Sequence, residues 1–189
     1  MLKFIILFII STSSVVAHSA NSEQSNKNFK QSFLSCSIIT SEHLTVLQLY
    51  QRGVPRDLAI ESLPKITRAA KQRVKYVYDL AQKIGILNAY TDINTNYARC
   101  SAMVHTINGI PAADLKEHQY YFCAGENKVR FELIIMSNQN KTLNQQLDAF
   151  PNRYQPTIID LFRLIKTKGT LAAFDLTANN LKACLNQIN

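Results

Sequence analysis

The sequence predicts an all-α fold made of two tandem helical-bundle repeats of about four helices, each closed by one disulfide. Three observations carry this expectation. Apolar residues recur at helical spacing, while glycine is scarce (5 of 189 residues) and strand-like alternation is sparse. Residues that punctuate helices recur in matched register along the chain. Four cysteines fall at the ends of the two matched stretches.

The repeat is read from spacing. Cys36 to Pro64 spans 28 positions, as does Cys123 to Pro151. Gly85 to Cys100 spans 15, as does Gly169 to Cys184. Gly53 then falls on Asn140, Leu63-Pro64 on Phe150-Pro151, Ala89 on Ala173 and Tyr90 on Phe174. Val74 and Val77 meet Ile158 and Leu161. The chain divides accordingly into a signal peptide (1–19), a polar segment expected to be disordered (20–32), repeat 1 (33–106), a linker (107–117) and repeat 2 (118–189). Four cysteines allow three pairings. One staple per copy joins Cys36 to Cys100 and Cys123 to Cys184; the rival, Cys100 with Cys123 and Cys36 with Cys184, discards the symmetry. Each staple closes a long loop, worth roughly 4 kcal/mol in the chain-entropy account.

Each element has its own grounds. Lys3, the apolar run Phe4 to Ile10 and the small residues Val15, Ala17, Ser19 and Ala20 have the layout of a secretory signal, with cleavage after Ala17 or Ser19. The run is well short of the roughly 20 apolar residues a spanning helix needs, and no later segment of the mature chain reads as transmembrane. Ser41 to Arg52 reads as a helix with Leu44 and Leu47 inward, closed by Gly53. Pro55 opens a short helix through Ser62. Lys65 to Ile84 carries a stripe of Ile66, Ala70, Val74, Val77, Ala81 and Ile84, stopped by Gly85. Asn94 to Thr106 carries Cys100. In the second copy Lys128 to Asn138 is helical, although Val129 to Ile135 also passes for a strand. Thr142 caps a short helix, Pro156 opens one that runs to Lys168, and Thr177 caps the last, to Ile188.

The formal charge of +8 is scattered rather than blocked. Nucleic acid is the usual partner of such a balance, but an exported protein rarely meets it, so none is expected and the charge is read as a solubility device. No catalytic set emerges. His18, His43, His105 and His118 lack zinc-site spacing, so no metal is expected, and His43 reads as solvent-facing. There is no nucleophile elbow or phosphate loop, and no cofactor is implied. The acids Glu42, Asp57, Glu61, Asp79, Asp92, Glu126, Glu132 and Asp160 are scattered. Asn140-Lys141-Thr142 is a formal glycosylation acceptor read as a helix cap. Tyrosines suit binding surfaces, and Arg52, Tyr78 and Tyr76 are the candidate contact residues, provided they are exposed beside an interhelical groove.

Cys36, Gln51-Arg52-Gly53-Val54-Pro55 with Ala59, Val74, Val77-Tyr78 and Cys100 stand in an order that resembles small exported bacterial helical proteins built as one such unit. The likeness covers the first copy better than the second, where Asn140 replaces the glycine and no arginine matches Arg52. It implies export and a helical unit, and no activity. These readings lead to an exported protein, periplasmic or secreted. It is expected to bind a protein of the envelope or outside the cell, in the manner of an inhibitor or immunity protein. The alternative is a hydrolase of envelope polymers with carboxylates between the repeats.

Overall fold

The computed structural model describes residues 31–62 and 67–187. The expected signal peptide, most of the polar segment 20–32, the Leu63-Pro64 anchor and Ile66 of the long stripe lie outside them.

Ser32 starts the first helix. Its hydroxyl accepts from the Ser35 amide while the Ser35 hydroxyl accepts from the Ser32 amide, a reciprocal cap. Helix α1 therefore runs Phe33–Gln51, two turns ahead of the expected Ser41 start. Phe33, Cys36 and Ser37 are buried, so packing recruits a stretch whose serines alone suggest a loop. Glu117 also accepts from the free Leu34 amide at 3.2 Å. Gly53 has a positive φ just beyond the α1 C-cap Arg52. Pro55 is the N-cap of α2 (Arg56–Glu61), whose Ala59 is fully buried. Thr67 caps α3 (Arg68–Ile84), and Val74, Val77 and Ala81 of the expected stripe are buried.

Gly85 (φ 81°, ψ 158°) ends α3 and at once begins α4 (Ile86–Asn108). That backbone region is open essentially to glycine alone. It joins α3 to α4 with no intervening loop, which is why α4 begins two turns before the expected Asn94. Residues 109–115 connect to α5 (Lys116–Asn138), which absorbs the ambiguous Val129–Ile135 segment as helix. Phe131 and Ile134 lie at i, i+3 and are buried with Leu133. Asn140 is the one non-glycine residue with positive φ among the described residues (60°). Thr142 then caps α6 (Leu143–Ala149) reciprocally with Gln145. A 3-10 turn (Asn152–Tyr154) leads into α7 (Gln155–Asn186). Helix α7 is broken at Gly169, with φ 83° and ψ 170°. Thr177, expected as a cap, lies inside α7 and is buried; the helix restarts directly after Gly169 instead.

Helix α1 sits at the centre, packing on α3, α4, α5 and α7, while α5 packs most extensively on α7. The first four helices and the last three are not separate lobes in the described residues: Gln31–Asn189 forms one compact unit. Their shared core includes Tyr90 on α4 stacked parallel on Phe174 of α7, centroids 5.2 Å apart at 8°. Such a pair adds about 1 kcal/mol beyond its buried area. The fold is all-helical, with no strand among the described residues. Disulfides join Cys36 to Cys100 and Cys123 to Cys184, as expected. Two such bonds point to a protein outside the reducing cytoplasm. No described helix is long and apolar enough to cross a membrane.

Candidate functional site

The residues singled out in the sequence separate in the structure. Tyr78 is buried at 3% exposure, and its hydroxyl donates to the Val54 carbonyl at 2.7 Å. Its ring meets Tyr50 edge-on at 5.4 Å. It therefore clamps the α1–α2 turn to α3, and burial raises its pKa. Tyr76 lies two residues away on the opposite side of α3, 46% exposed, its ring 5.7 Å from His43. Burial, then Asp92, raises the Tyr76 pKa. Arg52 is exposed at the end of α1. An open groove of about 560 Å³ beside the turn is lined by Tyr50, Gly53, Pro55, Tyr78 and Gln82, and Arg52 is not among its lining residues. So Arg52, Tyr76 and Tyr78 do not share one exposed surface.

His43 is a correction of another kind. It is part-buried against α3, with Nε2 inaccessible and unpartnered among the described residues. Burial lowers its pKa; Glu42 opposes that shift and Arg73 adds to it. Glu42 and Arg73 pair across α1 and α3 at 2.8 Å.

A polar junction ties the two halves. Gln48 of α1 is 3% exposed. Its amide nitrogen donates to the Asp175 carboxylate and to Asn179 Oδ1 (3.1 Å), and its carbonyl accepts from Lys182 Nζ. Burial lowers the Lys182 pKa against the pull of Asp175. Nearby, Tyr90 donates to Gln51 Oε1 at 2.9 Å, and buried Asn127 of α5 donates to buried Asn94 of α4 at 2.9 Å. Most candidate acids are engaged in the same local way. Glu126 pairs with Arg130 (2.9 Å), Asp79 with Arg56 (3.3 Å), Glu132 with Lys128 (3.6 Å) and Asp160 with Arg163 (3.5 Å). Asp92 accepts from Asn96 at 2.9 Å. Among the described residues, no group of three or more His, Cys, Asp and Glu is placed to hold a metal ion.

None of the family models, curated proteins or solved structures compared with this chain matches it.

Another open concavity, of about 630 Å³, lies between α4 and α5. Ala98 and Ala102 of α4 and Gly125 of α5 line it together with Phe33, Tyr121 and Phe122. His105, His118, Lys128 and Arg153 also border it. Sequence reasoning missed both this groove and the junction. The signal for the groove is small residues at i, i+4 on α4, facing a glycine inside α5. The signal for the junction is Asn94 lying in register with Tyr90, Ile93 and Tyr97, where an apolar residue would otherwise complete the stripe.

Proposed function

We propose that this is an exported protein, periplasmic or secreted, that works as a non-catalytic binding protein with a protein of the envelope or extracellular space as its partner. The observation that carries the reading is an exposed apolar stretch. Met103 and Ile107, one turn apart at the end of α4, are 46% and 72% exposed, and Ile110 and Leu115 of the connector are 61% and 54% exposed. Single exposed aliphatics are ordinary, but a concentration of them at one end of a helix pair fits a protein contact. The disulfides support export. Inhibitor- or immunity-like roles fall within this class. The hydrolase alternative has less support, because most of its candidate acids pair with neighbouring cations rather than with one another.

We also read the chain as a tandem duplication. Its support is correspondence at matched positions. Gly85 and Gly169 share one rare backbone conformation, and Gly53 and Asn140 share a positive φ. Pro55 and Thr142 are N-caps of equivalent short helices, whose buried residues, Ala59 and Gln146, also correspond. Tyr90 and Phe174 correspond and stack on each other.

The test is affinity capture from the envelope extract of the source organism with oxidised mature protein. A reduced, unfolded sample and an Ile107→Asp/Leu115→Asp variant serve as comparisons. One dominant, near-stoichiometric protein, lost with the variant, is expected. No enrichment over the unfolded sample would remove the protein-partner reading. Sequencing the exported chain's N-terminus checks the signal peptide, with a start at Ala20 or His18 expected.

A further inference from the structure

We propose that the α4–α5 groove is a binding site for a small anionic amphiphile, a single apolar arm ending in one acidic group such as a monoacyl carboxylate. This goes beyond the protein-partner reading and uses a different surface.

The groove exists because its floor is missing side chains. Ala98 and Ala102 put only methyl groups into it, and a Cβ added at Gly125 would meet nothing within 4 Å. Its volume of about 630 Å³ lies inside the roughly 300–1,000 Å³ span of small-molecule sites. The wall is aromatic and fixed. Buried Phe33 meets Tyr121 edge-on at 5.2 Å, and His105 lies nearly parallel to Tyr121, centroids 6.0 Å apart. Phe122 remains 50% exposed beside it. An apolar arm laid there would cover aromatic surface that water now contacts.

The rim chooses the head group. Arg153 sits over the Tyr154 ring at 4.8 Å and donates to its hydroxyl at 3.1 Å, so the guanidinium is oriented before any ligand arrives. Among the described residues no carboxylate pairs with it. Lys128, also on the rim, is paired with Glu132 at 3.6 Å and adds no unpaired charge. The acid on the rim, Glu126, is already neutralised by Arg130 at 2.9 Å. The balance is positive at one side of an apolar slot, and that combination fits an anion carrying a hydrophobic arm. A neutral alcohol would leave Arg153 unanswered, and a cationic amphiphile would be repelled.

Isothermal titration of the oxidised mature protein with decanoate, decanol and decyltrimethylammonium tests this. Decanoate is expected to bind one to one, at least about tenfold tighter than decanol. Arg153→Gln should bring decanoate down to the level of decanol and leave decanol unchanged. Ala102→Phe should weaken both by about tenfold or more. If Ala102→Phe fails to fold, Thr106→Trp, at an exposed position on the same lining, replaces it. The proposal is overturned by an absence of saturable decanoate binding. It is equally overturned by binding that neither Arg153→Gln nor the filling variant changes, or by decyltrimethylammonium binding as tightly as decanoate. Capture of a protein partner while decanoate stays inert would leave the protein-partner reading standing and this one overturned.

Discussion

Replacing Gln48 with leucine tests whether the two halves are held together by the polar junction or merely lie against each other. Gln48 is buried, and two of its bonds are to charged groups, the Asp175 carboxylate and Lys182. Hydrogen bonds to charged groups contribute about 1.5–3 kcal/mol each. Asp175 and Lys182 are both only part-buried, so the lower figure applies to each, about 3 kcal/mol together. Leucine returns roughly 1 kcal/mol of apolar burial. The expected net loss is about 2 kcal/mol, or about 4–8 °C in melting temperature for a chain of this size. Urea unfolding followed by far-UV circular dichroism measures it. One transition with an unchanged m value is expected, because α1 packs on helices of both halves and no half can leave alone. A loss under about 0.5 kcal/mol would mean that water serves Asp175 and Lys182 as well as Gln48 does. A split transition would refute the single cooperative unit.

Tyr78→Phe removes one hydroxyl and leaves the Val54 carbonyl to part-accessible solvent, so about 1 kcal/mol of stability should go, with captured partner unchanged; lost capture at full stability would restore Tyr78 as a contact residue. His43 has its pKa lowered, so in the range below about 6.5 the unfolded chain takes up a proton more readily than the folded one. Stability is therefore full above about 6.5 and falls as the pH drops through the lower, folded-state value; the groups facing His43 are Glu42, Arg73 and Tyr76. His43→Gln should flatten the fall in urea midpoint between about pH 7 and pH 5, and an identical slope in both proteins would refute the assignment. Gly169→Ala places a side chain in a backbone region that excludes it and should cost about 1–3 kcal/mol although the space beside it is empty; a neutral result would show that the break in α7 relaxes.

Much of the fold was legible because it is written in helix punctuation. Gly53, Pro55, Thr142 and Asn140 act locally, through backbone conformation and capping, and each does in the structure what its residue type predicts. The cysteine pairing was reached from the matched spacing, one staple per copy being the economical choice among three, and the two disulfides take that pairing. The early turns of α1 and α4 were illegible for the opposite reason. Their residues are ordinary helix formers at best, and burial against distant elements holds them helical: Phe33 against Tyr121, Tyr90 against Phe174.

The candidate site shows the same division more sharply. A tyrosine's type says that it suits a surface or a core with a polar exit, and Tyr76 and Tyr78, two positions apart on one helix, take one role each. Which role falls to which depends on whether a carbonyl such as that of Val54 waits at the far side of the packing, a tertiary fact. The groove between α4 and α5 is defined by what its residues lack, so no enriched residue type announces it. Ala98, Ala102 and Gly125 look like good or neutral helix positions in isolation. They become a site only when α4 and α5 are brought side by side with Phe33 and Tyr121 closing one wall and Arg153 held over the rim. A position where small residues leave room and a pre-oriented cation stands unanswered is therefore better sought in the packed helices than in the sequence.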